Sequence, residues 1–94
     1  MSVDVEIYMN NILKFFRENP NDLLNLIPKE MEEEFYKKIR EEASKNYDNG
    51  EDVTLTQQQI IDICVDLNGK TEKPFKIETM GLFMVTKFGR LSLN

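Results

Sequence analysis

Three features of this sequence carry groups able to do chemistry: one thiol, a run of carboxylates, and a loop in which acids alternate with other residues. Cys64 is the chain's one thiol. A thiol attacks only as its thiolate, which needs a base or a positive field beside it. The chain has no His to take that proton. Cys64 also falls within Ile60 to Leu67, the most apolar helical stretch, where a small side chain serves as core. The absence of His excludes His-dependent triads and His-ligated zinc, and a single Cys excludes an internal disulfide framework. Glu30, Glu32, Glu33 and Glu34 are acidic enough for a hard cation. Adjacent helical residues point in different directions, however, and no second carboxylate pair converges on them, so they read as a solvated first turn.

The stretch Asp48 to Thr56, DNGEDVTLT, resembles a calcium loop in composition alone. Such a loop needs Gly at its sixth position and a bidentate Glu at its twelfth, and counting from Asp48 those positions hold Val53 and Gln59. It reads as a helix-to-helix turn. Gly81 and Gly89 belong to no phosphate-cradling motif. Acid and base work would fall to carboxylates, Lys or Tyr, and no such set converges in sequence. The expectation is a noncatalytic protein with no metal and no cofactor.

Four elements would position these residues. Ser2 or Asp4 can cap a first helix running to about Glu18, whose apolar residues Val5, Tyr8, Met9, Ile12, Leu13, Phe15 and Phe16 fall within about 160° of the wheel. Asn19-Pro20 restarts the chain as a short helix with Leu23, Leu24, Leu26 and Ile27, ended or kinked by Pro28. From Lys29 to about Asp48, Met31, Phe35, Ile39, Ala43 and Tyr47 recur at four-residue spacing. Glu33 with Lys37, Glu34 with Lys38 and Glu41 with Lys45 are favourably ordered pairs one turn apart, and Asn49-Gly50 is the stop. Thr56 with Gln59 matches a capping box opening a helix over Gln57 to Leu67, closed by Asn68-Gly69. Ile60, Ile61, Ile63, Cys64, Val65 and Leu67 span about 200° of it, which predicts the central helix. Val53 to Leu55, just before, can be extended.

Beyond Asn68 to Pro74 the pattern turns strand-like: Phe75 and Ile77 alternate, Leu82 to Thr86 follow, and Leu91 and Leu93 come after Gly89. The expected fold is mainly α, with three main helices, one short helix and a small C-terminal β hairpin or meander. The 94 residues, 40% apolar and 31% charged, fit one domain with a helical body over 3–69 and a strand-like segment over 75–94.

The net charge is −5, but residues 70–94 hold five bases against two acids. The acidic remainder disfavours nonspecific binding to nucleic acid or anionic membrane. Acids in MSVDVEIYMN, where a secretory leader carries Lys or Arg, and the lack of any long apolar window point to a cytoplasmic address with no membrane contact. The apolar weight of the C-terminus suggests a contact surface for a protein partner, formed by Leu82, Phe83, Met84, Val85, Phe88 and Leu91. Uncharged Thr79 to Thr86 would leave an open strand edge, and a second copy of the chain pairing across a two-fold axis would satisfy it. The competing reading is a winged-helix-like nucleic-acid binder using Lys76, Lys87 and Arg90. Against it, the would-be recognition helix exposes Asp62 and Asp66, which repel phosphate.

The run LTQQQIIDICVDLNG, Leu55 to Gly69, with TKFGRLSLN, Thr86 to Asn94, resembles small uncharacterised proteins of tailed phages of marine cyanobacteria. The resemblance covers the last 40 or so residues and brings no catalytic motif. It implies an infected bacterial cytoplasm as the setting, where small acidic proteins act by binding others.

The position of Cys64 on its helix predicts a shielded thiol. A thiol reagent should label it only after denaturant is added, and rapid stoichiometric labelling of the folded chain would show that the sulfur faces outward.

Overall fold

The α-helix is the one regular element that the described residues form, apart from a single 3-10 turn. The computed structural model describes residues 3–21, 26–70 and 76–90. Their helices are α1 (Val3–Glu18), α2 (Glu32–Asp48, entered through the turn Lys29–Met31), α3 (Gln57–Asn68) and α4 (Ile77–Phe88). Charges follow the helix dipoles: Asp4 and Glu6 open α1, three glutamates open α2, and Arg17, Lys45 and Lys87 sit in the last turns of α1, α2 and α4. The capping box at α3 forms as its spacing implies, with the Thr56 hydroxyl accepting from the Gln59 N–H and the Gln59 side chain accepting from the Thr56 N–H.

The expected C-terminal hairpin is absent: residues 77–88 are helix, and no strand occurs among the described residues. Ile77, Met80, Gly81, Met84, Val85 and Phe88 fall at helical intervals, and Met80, Gly81, Met84 and Val85 are buried. The period-2 reading rested on Phe75, Leu91 and Leu93, which lie outside the described residues, and on aromatic and β-branched types. Tertiary packing of the 3.6-residue stripe overrides that propensity. Val53 to Leu55 likewise forms no strand; it is a connection that buries Leu55.

The helices pack around α3, which contacts both α2 and α4, while α1 closes against α2 and α4. Gly81 permits the close approach of α3 and α4, since a Cβ there would come within 3.1 Å of Ile61 Cγ1 and 3.2 Å of Gln57 Cγ. On the α1 side, Phe15 and Phe16 meet Phe83 and Phe88, with ring centroids 5.6 to 6.4 Å apart. Between these contacts lies the core: Met9, Ile12 and Phe16 of α1, Phe35 and Ile39 of α2, Ile60 and Leu67 of α3, and Met80 and Met84 of α4.

Smaller expectations are also corrected. Tyr47 does not complete the buried stripe of α2; it is 47% exposed, and Asn46 is buried in its stead. Steps of four residues advance about 40° beyond a full turn, so a strict four-residue stripe rotates off the core by its end. Val65 is 56% exposed, which leaves Ile60, Ile63, Cys64 and Leu67 as the buried arc of α3. Lys38 pairs with Asp66 of α3 at 3.0 Å, and Lys45 with Glu42, so the ion pairs seen at these lysines differ from those expected along α2. Arg40 of α2 pairs with Glu6 of α1. Asn19 is the break that its place before Pro20 implies, with helix resuming at Pro20, and its N–H and its Nδ2 both donate to the Phe15 carbonyl at 2.9 Å. That short helix falls largely on residues 22–25, Leu23 and Leu24 among them, outside the described ones; Leu26 and Ile27 are buried.

The buried amide of Asn46 ties α2 to α3: its Nδ2 donates to the Thr54 carbonyl at 3.1 Å and to Gln59 Oε1 at 3.2 Å, and its Oδ1 accepts from Gln59 Nε2 at 3.0 Å. Asn46→Ala strands these partners at a cost of about 1–3 kcal/mol. For a domain this size each kcal/mol lowers the melting midpoint by roughly 4–8 °C, which calorimetry would register; an unchanged midpoint would show the network to be dispensable.

Candidate functional site

The end of α2 is built by its sequence to turn back over α1. Gly50 at φ +75° lets the Gly50 N–H reach the Tyr47 carbonyl and the Glu51 N–H reach the Asn46 carbonyl, the paired bonds of a helix stop. Asp52 Oδ1 then accepts the Thr54 N–H at 3.3 Å, which bends the loop again. The Leu55 N–H donates to the Tyr8 hydroxyl of α1 at 3.4 Å. The loop from 49 to 56 is thus held by α1 at one point and by Asn46 at another.

Between this loop, α1 and the end of α4 lies a groove of about 500 Å³. One wall is the α1 face of Asp4, Ile7, Tyr8 and Asn11; the other is Tyr47 with the loop residues Gly50 to Thr54, and Phe88 closes one side. Ile7 is 54% exposed, an apolar side chain left open beside the half-exposed Tyr47 ring. Among the described residues, three carboxylates, Asp4, Glu51 and Asp52, line the groove, and no Lys or Arg does. A second hollow of about 510 Å³ shares Tyr8, Asn11 and Phe88 with the first and continues along α1 to Lys14, Glu18 and Lys87. There the Lys87 ammonium lies 5.2 Å from the centre of the Phe15 ring.

Burial raises the Tyr8 phenol to about 12, opposed by the Leu55 hydrogen bond and helped by the Asp52 charge. Burial, with the Glu32 charge, likewise raises Tyr36 to about 12. Cys64 is fully buried, and loss of solvation lifts its thiol to about 12, which keeps it protonated at neutral pH. Among the described residues no three Asp, Glu or Cys side chains converge as a metal site.

The expected contact residues are scattered by the helix. Leu82 is exposed, Phe83 and Phe88 are half-buried, Met84 and Val85 are core, and Leu91 lies outside the described residues. Of those described, only Phe88 reaches the groove. Lys76, Lys87 and Arg90 do not form a basic strand pair, because the strands are absent: Lys76 precedes α4, Lys87 stacks over Phe15, and Arg90 lies on the loop after α2. The free strand edge that suggested pairing of two copies is absent for the same reason. Sequence reasoning left out Ile7 and misplaced Tyr47. The available signal was that Ile7 lies off the α1 stripe with no place in the core.

The chain matches no family model, no curated protein and no solved structure. No described helix is long and apolar enough to cross a membrane.

The phenols give a pH prediction. With a folded pKa near 12 against about 10 when unfolded, Tyr8 and Tyr36 favour the folded chain fully below pH 10, and that contribution is lost as pH rises toward 12. Phenolate absorbance in Tyr8→Phe should lack part of the late-titrating component; loss of signal near pH 10 instead would place Tyr8 in solvent.

Proposed function

We propose that this chain is a noncatalytic protein-binding module whose groove between α1, the end of α2 and the following loop seats a partner segment carrying apolar and cationic side chains. The observation behind this reading is the lining: Ile7, Tyr47 and Phe88 offer apolar contact among the carboxylates Asp4, Glu51 and Asp52, of which Glu51 is paired with Arg90. Aromatic rings at the centre of such a surface supply most of the contact energy, and the carboxylates select the sign of the partner. The exposed Leu82 of α4 is a separate apolar position open to a partner. The cytoplasm of a phage-infected bacterium is the setting proposed for it, supported by the resemblance over Leu55 to Gly69 and Thr86 to Asn94.

A fluorescein-labelled peptide of repeated Leu-Ala-Lys units tests the groove by anisotropy, against the same peptide with Glu in place of Lys. The lysine peptide should bind and weaken with added salt, the glutamate peptide should not bind, and Ile7→Glu or Tyr47→Ala should cost about tenfold or more in affinity. Equal binding of the two peptides, or full affinity in both variants, would remove the groove as the binding surface.

A further inference from the structure

We propose that the loop over residues 51–54 is a seat for an arginine side chain of the binding partner, which this chain fills with its own Arg90 until a partner displaces it. The inference rests on the groove reading above for the kind of partner, a protein segment, and adds the chemistry by which that segment is recognised.

Three acceptors converge on the Arg90 guanidinium. Nη2 lies 3.2 Å from Glu51 Oε1, and Nη1 donates to the carbonyls of Asp52 at 3.1 Å and Thr54 at 3.4 Å. A carboxylate and two carbonyls at fixed positions suit the rigid fork of guanidinium donors, whereas the ammonium of Lys is a single compact charge that cannot span them. The two carbonyls do not depend on Arg90 for their placement. The Gly50 turn, the Asp52-to-Thr54 bond, the Asn46 amide on the Thr54 carbonyl and the Tyr8 hydroxyl on the Leu55 N–H hold the loop from its other sides.

Arg90 occupies the seat at a cost to its own backbone. Its φ is 111°, a region side-chain-bearing residues rarely adopt, and Gly89 before it sits at φ 118°. To bring Arg90 round, Gly89 passes so close over Thr54 that a Cβ would come within 3.1 Å of Thr54 Cγ2. The Thr54 hydroxyl is buried with no hydrogen-bond partner among the described residues. The contact therefore holds against backbone strain at Arg90. An arginine from another chain brings the same guanidinium without that strain.

The seat also adjoins the groove, since Glu51, Asp52 and Thr54 line both. A segment resting an apolar side chain between Ile7 and Tyr47 can carry an arginine to it. A tethered Arg90 competes at an effective concentration in the millimolar range, so the wild-type chain should bind weakly and the chain without Arg90 tightly.

The test is a titration of N-acetylarginine amide, followed by the amide NMR shifts of Glu51, Asp52 and Thr54. Arg90→Ala should bind it about tenfold or more tightly than the wild type. The neutral isostere N-acetylcitrulline amide should leave those amides unmoved, and adding Glu51→Gln to Arg90→Ala should remove most of the gain. Arg90→Lys, which keeps the cation but not the fork, serves as the second variant if Arg90→Ala does not melt cooperatively, and it too should bind better than wild type. Equal affinity of wild type and folded variant, or equal shifts with citrulline, would overturn the seat. The lysine peptide reads the groove separately. Peptide binding without any gain for arginine refutes the seat and leaves the groove, while a gain for arginine without peptide binding supports the seat and refutes the groove reading.

Discussion

A primary amide buried at the end of a helix has donors and acceptors that must all be met, and Asn46 is such a residue, 4% exposed in the last turns of α2. Its partners are the side chain that caps α3 and a carbonyl of the intervening loop. One side chain thereby sets the direction in which α2 ends, the start of α3 and the path between them. The groove, the Tyr8 contact and the Arg90 contact all use that path. An apolar residue at position 46 would fill the volume but leave the Thr54 carbonyl without this donor and Gln59 without its reciprocal bonds, so the loop would lose its fixed relation to α1.

The other determinant is the line of contact between α4 and its neighbours. Gly81 brings α4 down onto Gln57 and Ile61, and Phe83 and Phe88 meet the two phenylalanines of α1. A hairpin over the same residues would set Met80 and Met84 on one face and Gly81, Phe83 and Val85 on the other, splitting the side chains that the helix buries together. The helix holds Met80, Met84 and Val85 on one side and turns Leu82 outward.

Much of the helical body was legible because local chemistry and hydrophobic period agreed there: the acidic first turns, the Thr56 and Gln59 pair, and the Asn49-Gly50 stop all act as read. The C-terminal segment was misread because an uncharged run offers no polar face against which to fix a period, and aromatic residues then tip the reading to strand. The groove was illegible for a different reason. Ile7, Tyr47, Val53 and Phe88 come from four separate stretches, and each alone is an ordinary residue of its element. The Arg90 contact spans 36 to 39 positions and has no local signature at all. The exclusion of a reactive Cys64 needed only its place on the helix, and its burial agrees.

The core is rich in sulfur. Met9, Met80, Met84 and Cys64 are buried to within 1% of complete. While the helices stay packed, oxidants in solvent reach none of these atoms. Each opening of the bundle exposes thioethers, and a methionine converted to its sulfoxide is polar and chiral, unfit to return to a close-packed apolar site. Oxidation thus acts as a ratchet on transient unfolding, so that under an oxidative burst the working lifetime of the chain is set by how often it opens.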